Sequence, residues 1–321
     1  MIRETGFKRQ EINIFFDNGG LGDNIARLPV IPWILSEFPH IYLHIFVHDY
    51  FVPVAINALR QYVGKLMIYP WSKAKQYYNP EHFSKSFAQS YPRFENLSQH
   101  MTAHSFLTVA NKLPIKDADR WMSYLPLELS TLDLSQFALP KSYVVVTTAF
   151  TAPSREFSPE HVNALVSKIK ASGNEVVFLG QKQTQTGTEH TIQGNLSQDV
   201  DFSQGLDLID KTMLLEAAKI LGSAKAVVGL DNGLIHLAAQ TSVPIVAGFT
   251  TVDPLHRVPW RDGVFGKDFH SVVPKNLDCV GCQSNMVFLT GHDFRQCYYG
   301  DFRCVKELTA ELYWEKLEPL L

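Results

Sequence analysis

The chain has 321 residues, 45% of them apolar and 19% charged, with a formal net charge of -3. That length exceeds one average core and suits two domains. The composition is that of a soluble globular enzyme rather than a disordered chain, and the charge supplies no basic field for nucleic acid. The first residues, MIRETGFKRQEINIFF, lack the apolar core of a secretory leader. No apolar run approaches the ~20 residues of a membrane span. The expected location is cytoplasmic, with peripheral membrane contact left open.

In chain order, Ile12 to Phe16 reads as a first strand. It runs into Gly19-Gly20-Leu21-Gly22-Asp23, then into one helix with apolar residues at Ile25, Leu28, Ile31, Leu35 and Phe38. The glycines Gly19, Gly20 and Gly22 imply that something approaches the backbone closely. Asp23, at the helix start, suits a general base, or equally a plain N-cap. The spacing is not the dinucleotide-binding G-x-G-x-x-G. Tyr42–Val47 and Lys65–Tyr69 follow as strands. Residues 70 to 140 are rich in aromatics, His, Pro and Ser, with weak periodicity. They read as loops and helices of one domain, with aromatic faces, Trp71 among them, that suit sugar rings. LPLELSTLDLSQFALP closes them as a linker. The boundary is expected near 138–142, giving domains 1–140 and 141–321.

Beyond it, Tyr143–Thr148, Glu175–Leu179, Ala226–Leu230 and Pro244–Gly248 are continuous apolar runs, as expected of strands buried on both faces. Helical patterns at 161–171 and 214–221 lie between them. This alternation predicts an α/β architecture with parallel sheets. After the strand at 143, Thr147, Thr148 and Thr151 offer hydroxyls. Arg155 is placed for a diphosphate, the alternative being an ordinary surface arginine. Ser158-Pro159 opens the next helix. In VVGLDNGLIHLAAQ, Asp231 stands where an N-cap belongs. The backbone N–H groups of Asn232, Gly233 and Leu234 are then left for phosphate oxygens, with His236 facing the same anion. The alternative is an ordinary capped turn. Leu308–Leu320 reads as a helix.

All four cysteines fall late in the chain, at Cys279, Cys282, Cys297 and Cys304. Four thiolates at this spacing can close around a structural zinc or iron, with His270 and His292 as spare ligands. Buried free thiols or a redox-labile pair are the alternatives, and disulfides are disfavoured in a cytoplasmic protein.

GGLGDNIARLP resembles the N-terminal signature of glycosyltransferase family 9, the ADP-heptose:lipopolysaccharide heptosyltransferases. KTMLLEAAKILGSAKAVVGLDNGLIHLAAQTSVPIVAGFTTVDP resembles its C-terminal signature, and TTAFTAPSREFSPEHVNALVSKIKASGNEVVFLG its middle piece. The resemblance implies a GT-B fold, two Rossmann-like domains facing across a cleft, with the helix at 308–320 packing back across it. The nucleotide-sugar donor, ADP-heptose in the family, would bind the C-terminal domain. A glycan or glycolipid acceptor, with peripheral contact at the inner membrane, would bind the N-terminal one. It implies Asp23 as the base of an inverting transfer that needs no cofactor for its chemistry, and Arg155 with residues 232–236 as stabilisers of the leaving diphosphate. It places Lys211, Thr212 and Met213 near the nucleotide base. The family usually has Lys at the position of Arg155 and Ser or Thr at that of Asn232. Autotransporter heptosyltransferases carry a cysteine-bound iron near the C-terminus, which implies a protein hydroxyl as a second acceptor class. A non-catalytic GT-B module that binds a nucleotide or glycan is the third reading.

Overall fold

The structure is a computed structural model that describes residues 9–17, 19–87, 100–102, 121–148, 152–182, 184–186, 190–192, 199–284 and 297–321. Thr151, His292 and much of the aromatic segment between 88 and 120 lie outside the described residues.

The first half builds β1 (Gln10–Phe15), α1 (Leu21–Arg27), α2 (Val30–Glu37), β2 (Ile41–Val47), α3 (Val52–Ala58), β3 (Leu66–Pro70), the short α4 (Ala74–Tyr77) and β4 (Phe83–Ser86). The strands form a parallel sheet in the order β3-β2-β1-β4. The helix expected after the glycines is two helices. Pro29 lacks an N–H and its ring crowds the preceding turn, so the chain breaks at Leu28-Pro29 and restarts. One face of the sheet is apolar and buried under the helices, through Ile14, Phe16, Leu43, Ile45 and Val47. The other face is polar and aromatic rather than aliphatic. It carries Glu11, Asn13, Phe15, Tyr42, His44, Phe46 and Tyr69, set side by side by the parallel register. There Phe15 stacks on Phe46 and Phe46 on Tyr69, while Trp71 meets Phe15 edge-on.

The second half holds β5 (Tyr143–Thr147), α5 (Pro159–Ala171), β6 (Glu175–Leu179), the antiparallel pair β7 (Thr184–Thr186) and β8 (His190–Ile192), β9 (Leu206–Asp207), α6 (Leu214–Gly222), β10 (Ala226–Leu230), α7 (Gly233–Ala238), β11 (Ile245–Gly248), the antiparallel pair β12 (Trp260–Arg261) and β13 (Val264–Phe265), β14 (Phe269–Val272), α8 (Arg303–Lys306) and α9 (Ala310–Leu317). Six strands form a parallel sheet in the order β14-β11-β10-β5-β6-β9. Here the continuous apolar runs mean what they predict. Val144, Val146, Val176, Phe178 and Val228 pack under α5 and α9, while Val145, Val177, Val227 and Ile245 pack under α6 and α7. The second of these cores runs on without a break into the helices of the first half.

The terminal helix does not cross to the first sheet. Tyr313 is fully buried, donates its hydroxyl to the Gly229 carbonyl (3.2 Å) and stacks on Phe157 at 4.5 Å. This helix therefore covers its own sheet beside α5. The linker is held by both halves. Asn57 donates to the Glu128 carbonyl (2.7 Å), and Gln240 donates to the Leu125 carbonyl (2.9 Å).

Candidate active site

Both glycine corners lie at the C-terminal ends of central strands, and the fold presses them together. Gly19 has φ +106°, and a Cβ there would stand 2.7 Å from Cβ of Asp23, so only glycine lets the loop fold over that side chain. Asp23 is the third residue of α1 rather than its N-cap. Its carboxylate accepts from the Gly20 N–H (3.0 Å), while Oδ1 faces Arg257 Nη1 at 3.5 Å. Gly22 also tolerates close approach, but of protein rather than ligand. A Cβ there would meet the His236 ring at 2.5 Å, and one on Gly233 would meet Leu21 at 2.8 Å. α1 and α7 thus pack closely, each glycine admitting a side chain of the other helix.

The second corner differs from expectation in three places. The N-cap of α7 is Asn232, not Asp231. Its Oδ1 accepts from Leu234 N–H (3.0 Å) and Ile235 N–H (3.2 Å), so the Leu234 amide is already engaged. His236 does not face an open anion site. It is 3% exposed, with Nδ1 2.9 Å from the Tyr124 hydroxyl and Nε2 3.1 Å from Asp231 Oδ1. Thr147 is likewise committed. Its hydroxyl donates to the Val228 carbonyl (3.4 Å) and accepts from Asn232 Nδ2 (3.2 Å), which orients the cap.

What remains for an anion is a smaller set. Arg155 Nη2 stands 3.9 Å from Asp231 Oδ2. Thr148 and Thr251 are buried, and neither hydroxyl has a partner among the described residues. Thr251 belongs with Arg155, Asp231, Gly248 and Thr250 to the walls of a recess of about 10 Å³, room for roughly one water molecule. Buried hydroxyls without partners beside a guanidinium suit phosphate oxygens. Burial works to raise the carboxyl of Asp231. The His236 hydrogen bond and the charges of Arg257 and Arg155 outweigh it and hold the group well below the usual carboxylate range.

Lys211, Thr212 and Met213 lie apart, at the start of α6. Lys211 Nζ donates to the Asp207 carbonyl (2.6 Å), and Met213 is 72% exposed. Their strand, β9, is three positions from β10 along the sheet, about 14 Å at the usual strand spacing. Sequence reasoning missed Tyr124, Arg257 and Thr251. Arg257 follows the glycine end of β11 in TTVDPLHRVPW, the one local signal that marked it.

His100 lies close by, wholly inside the protein. Its Nε2–H donates to the Val258 carbonyl (2.8 Å), and Nδ1 accepts from Thr102 N–H (3.2 Å), so only the neutral ring fits. Burial pushes this imidazole down to about 4, against the Val258 hydrogen bond and with the Arg257 guanidinium as a further lowering charge. The folded chain then binds fewer protons than the unfolded one between the ordinary value of 6.5 and about 4. Stability is full above that window and falls as pH drops through it, by about 3 kcal/mol from this residue. His100→Gln should flatten the dependence there, measured by urea unfolding from about pH 4 to pH 7. An unchanged slope would place the proton uptake elsewhere.

The cysteines are all unpaired thiols. Each buried thiol feels its neighbours, and burial first, then Cys279 and its partners, push Cys282 to about 11 and Cys304 to about 12. The donor chemistry fits zinc or iron. Among the described residues, however, no three of the sulfurs lie within 4.8 Å of one another, wider than a closed tetrahedral site. His270 sits in β14, paired with Val246.

Residues 84–267 match the model of glycosyltransferase family 9 (heptosyltransferase), more than half of the chain. The chain belongs to glycosyltransferase family 9. A curated family relative, lipooligosaccharide heptosyltransferase 2 of Haemophilus influenzae, is 28% identical over 116 residues, a match that spans 34% of this chain and 33% of that protein. Among solved structures, the iron-containing dodecameric glycosyltransferase TibC from enterotoxigenic E. coli H10407 superposes with a TM-score of 0.73 at 16% identity, covering 97% of this chain and 76% of TibC. The E. coli ADP-heptose LPS heptosyltransferase II gives a TM-score of 0.60 at 14% identity over 97% of this chain and 98% of its own. These likenesses establish the fold, and with the two parallel α/β sheets the family member has the GT-B architecture. Among the described residues, no helix is long and apolar enough to cross a membrane.

Proposed function

We propose that this family 9 member transfers a heptose or related sugar, with inversion, from a nucleoside-diphosphate donor to a hydroxyl of a lipopolysaccharide core or other surface glycan. ADP-heptose is the preferred donor. The observation that carries the reading is the joined constellation at the two strand ends: Asp23 with Arg257, and Arg155 with Asp231 and His236. The family match and the TibC structure in complex with ADP-D-β-D-heptose support the donor.

In this reading the chain divides near 140, the acceptor lying against the first sheet and the donor against the second. Asp23 takes the proton of the acceptor hydroxyl as its oxygen attacks the anomeric carbon. The new carbon–oxygen bond forms on the face opposite the old one, whose electron pair leaves with the diphosphate. Arg155 and Arg257 offset that charge, and the hydroxyls of Thr148 and Thr251 and the Gly233 backbone hold phosphate oxygens. Two guanidinium groups supply what a divalent ion supplies in other transferases, so the transfer runs without metal. Thr147, Asp231, Asn232 and His236 position this set and do not touch substrate. Exposed Met213 offers a face to the nucleotide base, flanked by Lys211 and Thr212, and Thr151, four residues before Arg155 in the sequence, is a further phosphate contact in this reading. On the acceptor side, Trp71, Tyr50 and His48 gather at the strand ends. His48 is buried, and its Nε2 has no partner among the described residues. A glycolipid acceptor would bring the protein to the inner membrane from the cytoplasm by peripheral contact.

In this proposal Cys279, Cys282, Cys297 and Cys304 would hold a structural zinc or iron. The description of TibC as iron-containing favours it. A protein hydroxyl is the alternative acceptor.

ADP, in the presence of a chelator, should raise the melting temperature more than GDP, UDP or CMP does, and Arg155→Ala should remove most of that gain. Equal shifts with all four nucleotides, or an undiminished shift in the variant, would defeat the donor assignment.

A further inference from the structure

On the open face of the first sheet, away from the strand ends that carry the proposed chemistry, three ligand-bearing side chains converge. Glu11 comes from β1, His44 from the adjacent β2, and His82 from the residue before β4 on the other side. His44 Nε2 lies 2.7 Å, and His82 Nε2 3.1 Å, from the same carboxylate oxygen, Glu11 Oε2. All three ligand atoms lie within 4.8 Å of one another, and this is the one group of its kind among the described residues. We propose that Glu11, His44 and His82 form a binding site for a divalent transition-metal ion, of the class of zinc, cobalt or nickel.

The spacing fits. Ligands about 2.0–2.1 Å from a metal stand roughly 3 Å apart when they occupy neighbouring positions. Two imidazoles and one carboxylate select borderline transition metals over magnesium or calcium, which prefer oxygen. The side chains are partly enclosed, at 13% exposure for His44, 20% for His82 and 34% for Glu11, which leaves an entry path. Tyr69 holds His44 from behind, its hydroxyl 3.1 Å from Nδ1, so the ring presents Nε2 to Glu11.

The contacts of His82 show why a proton alone serves this cluster poorly. Its Nε2 is 3.0 Å from Asn79 Nδ2, a donor, and 3.1 Å from Glu11 Oε2, an acceptor. The amide orientation is fixed, because Asn79 Oδ1 accepts from Glu81 N–H at 2.9 Å. One ring nitrogen cannot both accept from Asn79 and donate to Glu11. The other, Nδ1, is buried with no partner among the described residues. A cation bound by Nε2 and Oε2 takes that nitrogen's one lone pair in place of the Asn79 N–H, and no proton is then needed between ring and carboxylate. It would also tie β1 to both of its neighbours. Glu11 lies four residues before Phe15, so the site stands about 13 Å along the strand from the end that leads to Asp23. The metal is therefore structural, and it is separate from the cysteines.

The test is a cobalt titration of the chelator-stripped full chain, followed by visible absorption. Cobalt held by nitrogen and oxygen shows ligand-field bands without the intense thiolate-to-cobalt charge transfer that the cysteines would produce. The expected result is one equivalent of nitrogen- and oxygen-bound cobalt, weakened at least about tenfold in His82→Gln and in Glu11→Gln. Cys282→Ser should change only the thiolate band. His82 lies outside the strands, so its variant should melt as the stripped wild type does. A spectrum unchanged in both variants, or cobalt bound through thiolate alone, overturns the proposal and leaves an ordinary carboxylate–imidazole hydrogen-bond cluster.

Discussion

Asp23→Asn lowers turnover by about a hundredfold to ten-thousandfold while donor binding stays as it was. Asparagine keeps an oxygen for the Gly20 N–H, so the loop over Gly19 retains its shape. It loses the negative charge that faces Arg257 and the ability to take a proton. The measurement is release of ADP from ADP-heptose with a heptose-accepting glycolipid, beside a thermal-shift titration with ADP alone. A kcat within tenfold of wild type would remove Asp23 as the base. Loss of ADP binding in step with activity would make it a structural residue instead.

His236→Ala is expected to destabilise the folded chain by about 3–5 kcal/mol, among the largest effects of any single substitution. The imidazole fills the gap between the Tyr124 hydroxyl at 2.9 Å and the Asp231 carboxylate at 3.1 Å. Without it, the buried Asp231 carboxylate loses its 3.1 Å hydrogen bond and keeps only the longer contact with Arg155, the buried Tyr124 phenol loses its 2.9 Å partner, and a cavity opens against Gly22. Tyr124→Phe removes one hydrogen bond and should cost only about 1 kcal/mol. Urea unfolding of the two variants decides. A His236→Ala loss of 1 kcal/mol or less would mean that α1 and α7 do not depend on this side chain, and that the histidine is available to a ligand after all.

Much of the architecture is legible from the chain alone. The apolar runs at 143–147, 175–179, 226–230 and 245–248 are strands because they are short, rich in β-branched residues and bounded by turn residues, as a doubly covered sheet requires. The glycine corners are visible because a tight turn and a close approach both demand that residue. These are local demands, met within a few residues.

What the glycines and polar corner residues touch was not legible. Gly22 and Gly233 read equally well as ligand contacts, yet they admit His236 and Leu21. Asp231 and Asn232 compete for one cap position, and the asparagine takes it because its side chain reaches the free amides of α7 while Asp231 turns to His236. Tyr124 lies 112 residues from His236, Arg257 lies 234 from Asp23, and the pairing of Glu11, His44 and His82 needs β1 to sit between two parallel neighbours. No period or spacing carries such pairings, since each depends on which strands adjoin and how far each register is offset. The sequence alone determined that the chain folds as parallel α/β layers with polar, glycine-bearing corners at its strand ends. Only the tertiary structure decided which of those polar groups face each other and are spent on holding the halves together, and which are left for chemistry, because that depends on contacts between residues remote in sequence.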